Sequence, residues 1–422
     1  MKKLINKIKK NKIMYVFFLF IVFMFPSAFY TKSEYQQRAI LVSVAIDKKE
    51  DDFSVSGLLV IPSSMGEFNA NVEIVSGEGK TVSSALHQIT SDLGKKVSLA
   101  HCDTIFVNDE VLSSEDMSRI LDYFIRGVNA TKNSMIIGIE GEGREFLETI
   151  KQSNKVNNFL ASDLVNSENN LIGLTNVSLK EFYKEYFTPG QVSVMSLLTL
   201  SDDSQGASSG DGGQQSQGGV MSNVGSSTST QGQSSQNKNI KSENKLAVLK
   251  KGKKLTVLEE ESCDTYNLLY DQAKTDYFLL ENLNIEDDQT NVTEIALEVV
   301  DKNIHKLFTF ENNTPKLNLD VEIVVKLVEI IHEGEVDDEE ISSVKTHVNE
   351  NVKDAIEDYF NKGIEELEKI SKVNKVDLFR FEDRLNKYYH KEWSKYLASL
   401  SDKEDYFNNI EVELNLRIKS KF

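Results

Sequence analysis

The stretch SDDSQGASSGDGGQQSQGGVMSNVGSSTSTQGQSSQNKNIK, residues 201–241, restricts the fold more than any other feature of the chain. It holds almost no large apolar side chain, so burial cannot offset the entropy of ordering it. It reads as a flexible tether. A chain of 422 residues must then find its cores on either side, and each side is long enough to build one.

Before the tether, strand and helix patterns alternate. RAILVSVAID (38–47) and FSVSGLLVIP (53–62) are strand-like, joined by an acidic turn, and NVEIV follows. Val82, Ala85, Leu86, Ile89 and Leu93 then fall on one face of a helix. VSLAHCDTIFV (97–107), a helix over Met117–Arg126, SMIIGIEG (134–141), a helix over 178–187 and VSVMSLLTL (192–200) complete the first part.

After the tether, LAVLKKGKKLTVLEE (246–260) reads as a hairpin turning at Gly252. Residues 292–310 and 316–331 alternate as long antiparallel strands. Helical spacing runs from about Asp338 to Ile370 through Ile341, Val344, Val348, Val352, Ala355, Ile356, Tyr359, Ile364 and Leu367, and a further helical segment leads to a closing strand, NIEVELNLRIK. The expected class is α+β: a mixed sheet-and-helix N-terminal region, and an antiparallel sheet with long helices in the C-terminal domain. The expected division is 1–30, 31–200, a disordered Ser/Gly/Gln linker at 201–243, and 244–422.

The first thirty residues read as a membrane anchor. Six lysines up to Lys12 precede IMYVFFLFIVFMFPSAFY, residues 13–30, which carries no charge. Eighteen helical residues rise roughly 27 Å, close to a bilayer core. The lysines would stay in the cytoplasm and the rest would lie outside. A cleaved signal peptide is the alternative, with Pro26-Ser27-Ala28 at its end.

Nothing in the sequence assembles a catalytic site. Gly79-Lys80-Thr81 imitates a phosphate loop, but the position five before Gly79 is Ile74, inside an apolar run, and Glu78 would repel a polyphosphate. The expected structure is a strand–turn–helix joint, with Gly77 and Gly79 in the turn and Thr81 as N-cap. His101, Cys102 and Asp103 stand in a row. On a strand, Cys102 would point away from His101 and Asp103, which forbids a Cys–His dyad.

The six histidines, at 87, 101, 305, 332, 347 and 390, lack paired metal-ligand spacing. The acidic runs at 47–52, 286–288 and 335–340 read as solvated turns and helix starts. Cys102 and Cys263 could be bridged or stay apart. No catalytic, cofactor-binding or metal residue is assigned, no cofactor is expected, and a net charge of -18 excludes a nucleic-acid partner.

Several stretches together resemble the Ger(x)C family of spore germination proteins. RAILVSVAIDKKEDDFSVSGLLVI, GKTVSSALHQI, LAHCDTIFVNDEVL and ILDYFIRG resemble its N-terminal domain. LAVLKKGKKLTVLEEES, DLFRFEDRLNKYYHKEWSKYL and NIEVELNLRIK resemble its C-terminal domain. The resemblance implies a non-catalytic C subunit of a nutrient germinant receptor that binds no nucleotide. It would sit on the outer face of the cytoplasmic or spore inner membrane, beside polytopic A-type and transporter-like B-type subunits. Three features depart from the family: no acceptor Cys for a lipid, a long tether, and Tyr389-His390 where a Pro usually precedes the Trp matched by Trp393. An anchored extracytoplasmic solute-binding protein is the alternative, and it would need a cleft between two similar lobes.

Overall fold

The computed structural model describes residue 20 and residues 38–61, 71–126, 130–153, 177–202, 238–270, 276–280, 285–287, 290–333 and 350–421. Apart from Phe20, the apolar run at 13–30 lies outside them. Among the described residues no helix is long and apolar enough to cross a membrane.

The first sheet has ten strands: β1 (Arg38–Lys49), β2 (Asp52–Ile61), β3 (Asn71–Gly79), β4 (Lys96–Ser98), β5 (Thr104–Asn108), β6 (Met135–Glu140), β7 (Val177–Ser178), β8 (Val192–Asp202), β9 (Lys238–Lys250) and β10 (Lys253–Leu258). Its path is β10-β9-β8-β6-β5-β1-β2-β3. The central four strands are parallel, and an antiparallel pair extends each edge.

Parallel neighbours need crossover connections. Helices α1 (Val82–Leu93), α2 (Asp109–Ser114), α3 (Met117–Ile120), α4 (Asp122–Arg126), α5 (Gly143–Ser153) and α6 (Leu179–Tyr186) lie in them. Helices α1, α2, α3 and α6 bury one face of the sheet with Leu41, Val44, Ile105 and Leu197. Phe146, Leu147 and Ile150 of α5 cover the other, with Phe106 and Leu198.

The second sheet has five strands: β11 (Asp276–Leu280), β12 (Ile285–Asp287), β13 (Thr290–Glu311), β14 (Thr314–Glu333) and β15 (Glu411–Ser420). β13 and β14 form one long hairpin. Its two-residue turn places Asn312 at φ 51° and Asn313 at φ 68°, the left-handed pair that matches strand twist. Helices α7 (Glu260–Tyr270), α8 (Glu350–Asn374), α9 (Phe381–Tyr388) and α10 (His390–Ser399) pack on its inner face.

The α+β class expected from the sequence holds, and four local expectations are corrected. First, the hairpin at Gly252 forms, but it extends the first sheet rather than the second, and β9 lies beside β8 with Asp202 opposite Lys238. The strands on either side of residues 203–237 therefore belong to one sheet; residues 203–237 themselves lie outside the described ones. Second, β15 runs parallel to β14, because the chain returns to it through α8, α9 and α10.

Third, the expected helix over Met117–Arg126 is two short helices broken at Leu121. Fourth, the expected strand over 97–107 is interrupted. β4 pairs with Arg38–Ile40 of β1, β5 pairs with Ser43–Ile46, and residues 99–103 loop across the irregularity between. Cys102 N–H closes a turn on Leu99 O at 3.1 Å, and Asp103 N–H donates to Val42 O at 2.9 Å.

The expected helix from Asp338 is seen from Glu350 onward and continues to Asn374, so Ile341, Val344 and Val348 fall outside the described residues. Within it, Val352, Ile356, Ile364 and Leu367 are buried as the spacing predicts. The break before Trp393, expected from a Pro in the family, is made by Tyr389, whose backbone leaves the helix at φ -135° and ψ 38°. Its ring packs against Phe308 and Phe310.

Candidate functional site

The Gly79-Lys80-Thr81 segment is a packing joint. Thr81 caps α1 in a capping box with Ser84, so the N-cap assignment is right. Gly77 and Gly79 do not sit in a turn; both are paired in β3, opposite Val55 and Phe53. They are glycines because α1 lies against them. A Cβ on Gly77 would stand 2.4 Å from Ala85 O, and one on Gly79 2.3 Å from Ser84 Oγ. Lys80 pairs with Asp52 at 3.3 Å, where a phosphate-loop lysine would need to be free for its ligand.

His101 is exposed, whereas Cys102 is buried among the apolar side chains under α1. Burial, reinforced by Asp103, pushes the Cys102 thiol up to about 12, so a thiolate nucleophile is not available. Cys263 lies in the core of the second sheet, with its thiol pushed well up by burial and by Asp264. Both cysteines are free, which settles the choice the sequence left open: they are not bridged. Among the described residues no group of three or more His, Cys, Asp or Glu could hold a metal ion.

Asp47, in the first acidic run, is not a solvated turn residue. It is buried near the end of β1 and accepts the Gly143 N–H at 2.8 Å, holding the start of α5 on the face of the sheet that α5 covers. Burial raises its carboxyl to about 6, against the lowering effect of the Gly143 hydrogen bond. The 335–340 run lies outside the described residues.

The two sheets meet in a polar joint that sequence reasoning missed. Glu185 at the end of α6 binds Arg380 at 2.6 Å. Arg380, at φ 58° just before α9, also lies over the Tyr270 ring at 5.1 Å. Lys306, on the inner face of β13, stands 3.4 Å from the same ring's centroid, and Lys302 donates to Asn267 O near the end of α7.

Cations there suit the negative end of a helix. Burial, with Arg384 and Arg380 near, lowers the Lys306 ammonium well below its ordinary pKa. Asp377 accepts the N–H groups of Phe381 and Glu382, each at 2.8 Å, and so starts α9 beside Gly190. Apolar side chains reinforce the joint: Val194, Leu246 and Val248 of the first sheet share one core with Leu317, Trp393 and Phe407.

A cavity of about 860 Å³ opens on the α1 side of the first sheet, lined by Phe53, Val97 and Ile120 and rimmed by charged residues. No constellation of nucleophile, base and oxyanion donors surrounds it.

Fold and sites together define an α+β protein of two sheets fused through a buried joint. The family model for the spore germination protein N-terminal domain matches residues 31–200, and that for the spore germination B3/GerAC-like C-terminal domain matches residues 244–420. The chain belongs to the Ger(x)C family of spore germination proteins, the C subunits of germinant receptors. Among solved structures it is similar to one described as the crystal structure of the GerBC protein, at 11% identity and a TM-score of 0.48, covering 90% of this chain and 97% of that chain. No curated protein matches it.

Proposed function

We propose that the chain is the membrane-anchored, extracytoplasmic C subunit of a nutrient germinant receptor, without catalytic activity of its own. It acts by contact with polytopic A-type and transporter-like B-type subunits on the outer face of the spore inner membrane. The observation that carries this reading is that both halves match domains of one germination family, in order, across residues 31–200 and 244–420. The uncharged run at 13–30, behind six lysines, supports anchoring by a helix in place of a lipid.

A solute-binding protein with two similar lobes is not favoured, because one sheet has a parallel centre and the other is built on a single long hairpin. Affinity purification of the tagged chain from detergent-solubilised spore membranes tests the proposal. Polytopic subunits should co-purify in fixed proportion. Recovery of the chain alone, or its release from membranes by an alkaline wash, would contradict it.

A further inference from the structure

We propose that the cavity beside the start of α1 binds a small organic anion with an apolar body, gripped by Lys96 and Arg119. Four cations line the cavity, Lys80, Lys96, Arg119 and Arg126, against two acids, Glu115 and Asp122. Most of that charge is already committed. Glu115 binds Lys48 at 2.7 Å, Asp122 binds Arg126 at 2.6 Å, and Lys80 binds Asp52 at 3.3 Å. Lys96 and Arg119 are left without a side-chain partner among the described residues.

Two uncommitted cations in one concavity run against a chain whose net charge is -18. Concave walls of low dielectric focus such a field and raise the local concentration of anions. The Arg119 guanidinium offers a planar fork suited to a carboxylate or sulfonate.

The shape of the cavity favours an organic ligand. The volume of about 860 Å³ falls within the range of small-molecule sites. Phe53, Val97, Leu99, Ile120 and Tyr123 give it apolar surface, which an inorganic ion would leave unused. Glu115 and Asp122 on the same rim disfavour a polyphosphate. The ligand that fits is singly charged at one end and apolar over the rest. This inference rests on neither the anchor nor the receptor partners, so it can fail without touching them.

The test uses the purified full chain, with para-trifluoromethylbenzoate followed by fluorine NMR and para-trifluoromethylbenzyl alcohol as the neutral match. The benzoate should bind saturably and the alcohol at least about tenfold more weakly, since charge-assisted contacts carry that much discrimination. Binding of the benzoate should weaken by about tenfold or more in the double variant Lys96→Gln, Arg119→Gln. Both side chains are exposed, so the fold should survive. Lys151→Gln, on α5 against the other face of the sheet, is the control and should bind as the parent does.

Tyr123→Ala should weaken the benzoate while leaving charge unchanged. Equal binding by parent and double variant, equal binding of acid and alcohol, no saturable binding, or displacement by inorganic phosphate at matching concentration would each overturn the proposal.

Discussion

Single residues carry identifiable costs here, and Asp47 is the clearest. Its carboxyl titrates at about 6 in the folded chain against 3.8 for a free one. Between those values the folded chain holds a proton that the unfolded chain has lost, so stability falls as pH rises through that window. At pH 7 the buried charge costs about 3 kcal/mol. Asp377 behaves alike, raised to about 6 chiefly by burial.

Asp47→Asn should therefore raise the urea midpoint at pH 7, by about 1–3 kcal/mol in stability, and leave it unchanged near pH 3. Its stability should also depend less on pH between 4 and 6. A pH profile parallel to that of the parent would show that Asp47 is not the group responsible. The sequence placed Asp47 in an acidic run and suggested water around it. What inverted that reading is α5, which begins 96 residues later and sets its first N–H on the carboxylate.

Elements fit each other closely where helices cross. α8 crosses α7 at Gly363, where a Cβ would lie 1.9 Å from Thr265 Oγ1 and 2.5 Å from Glu261 O. Gly363→Ala gains about 1 kcal/mol of helix propensity and loses up to about 3 to overpacking against backbone. The net expectation is a loss of about 2 kcal/mol, read as a lower thermal midpoint. A higher midpoint would mean that the helices can part without cost.

The β13–β14 turn offers the opposite case. Asn313 at φ 68° occupies a position that glycine suits better, so Asn313→Gly should stabilise by about 0.5–1 kcal/mol in the same assay. Strands and amphipathic helices were legible because periodicity reports which side chains share a face. The buried set Val82, Ala85, Leu86 and Ile89 was read correctly for that reason, and Thr81 from the capping chemistry of its side chain.

Periodicity does not report neighbours. It could not show that Leu246 and Val248 belong beside β8, or that the apolar run from Val97 to Val107 crosses two strand pairings with a loop between. Nor could it reveal a joint made by Glu185 and Arg380, which lie 195 residues apart. The closest sequence trace of the cavity is the family-like GKTV segment on its rim.

At the scale of the whole molecule, the Ser/Gly/Gln stretch changes meaning. Asp202 and Lys238 face each other across β8 and β9, so the chain between them has only to join two neighbouring strands. Loop entropy grows only logarithmically, so replacing them with six Gly and Ser residues should stabilise by about 1–2 kcal/mol. Loss of folding on shortening would argue that the stretch has structure of its own.

The joint then makes the molecule one body. Lys250 of β9 donates to Lys375 O beyond α8, the Gly252 carbonyl accepts the Met117 N–H at 2.9 Å, and apolar side chains of both sheets share a core. A receptor subunit built this way would present its two family domains at fixed relative positions to its partners. The direct measurement is to insert a protease site between residues 203 and 237, cut the purified chain completely, and run it on a sizing column without denaturant. The two fragments should travel together at the size of the uncut chain and separate only in urea. Fragments that part under native conditions would contradict the single-body account.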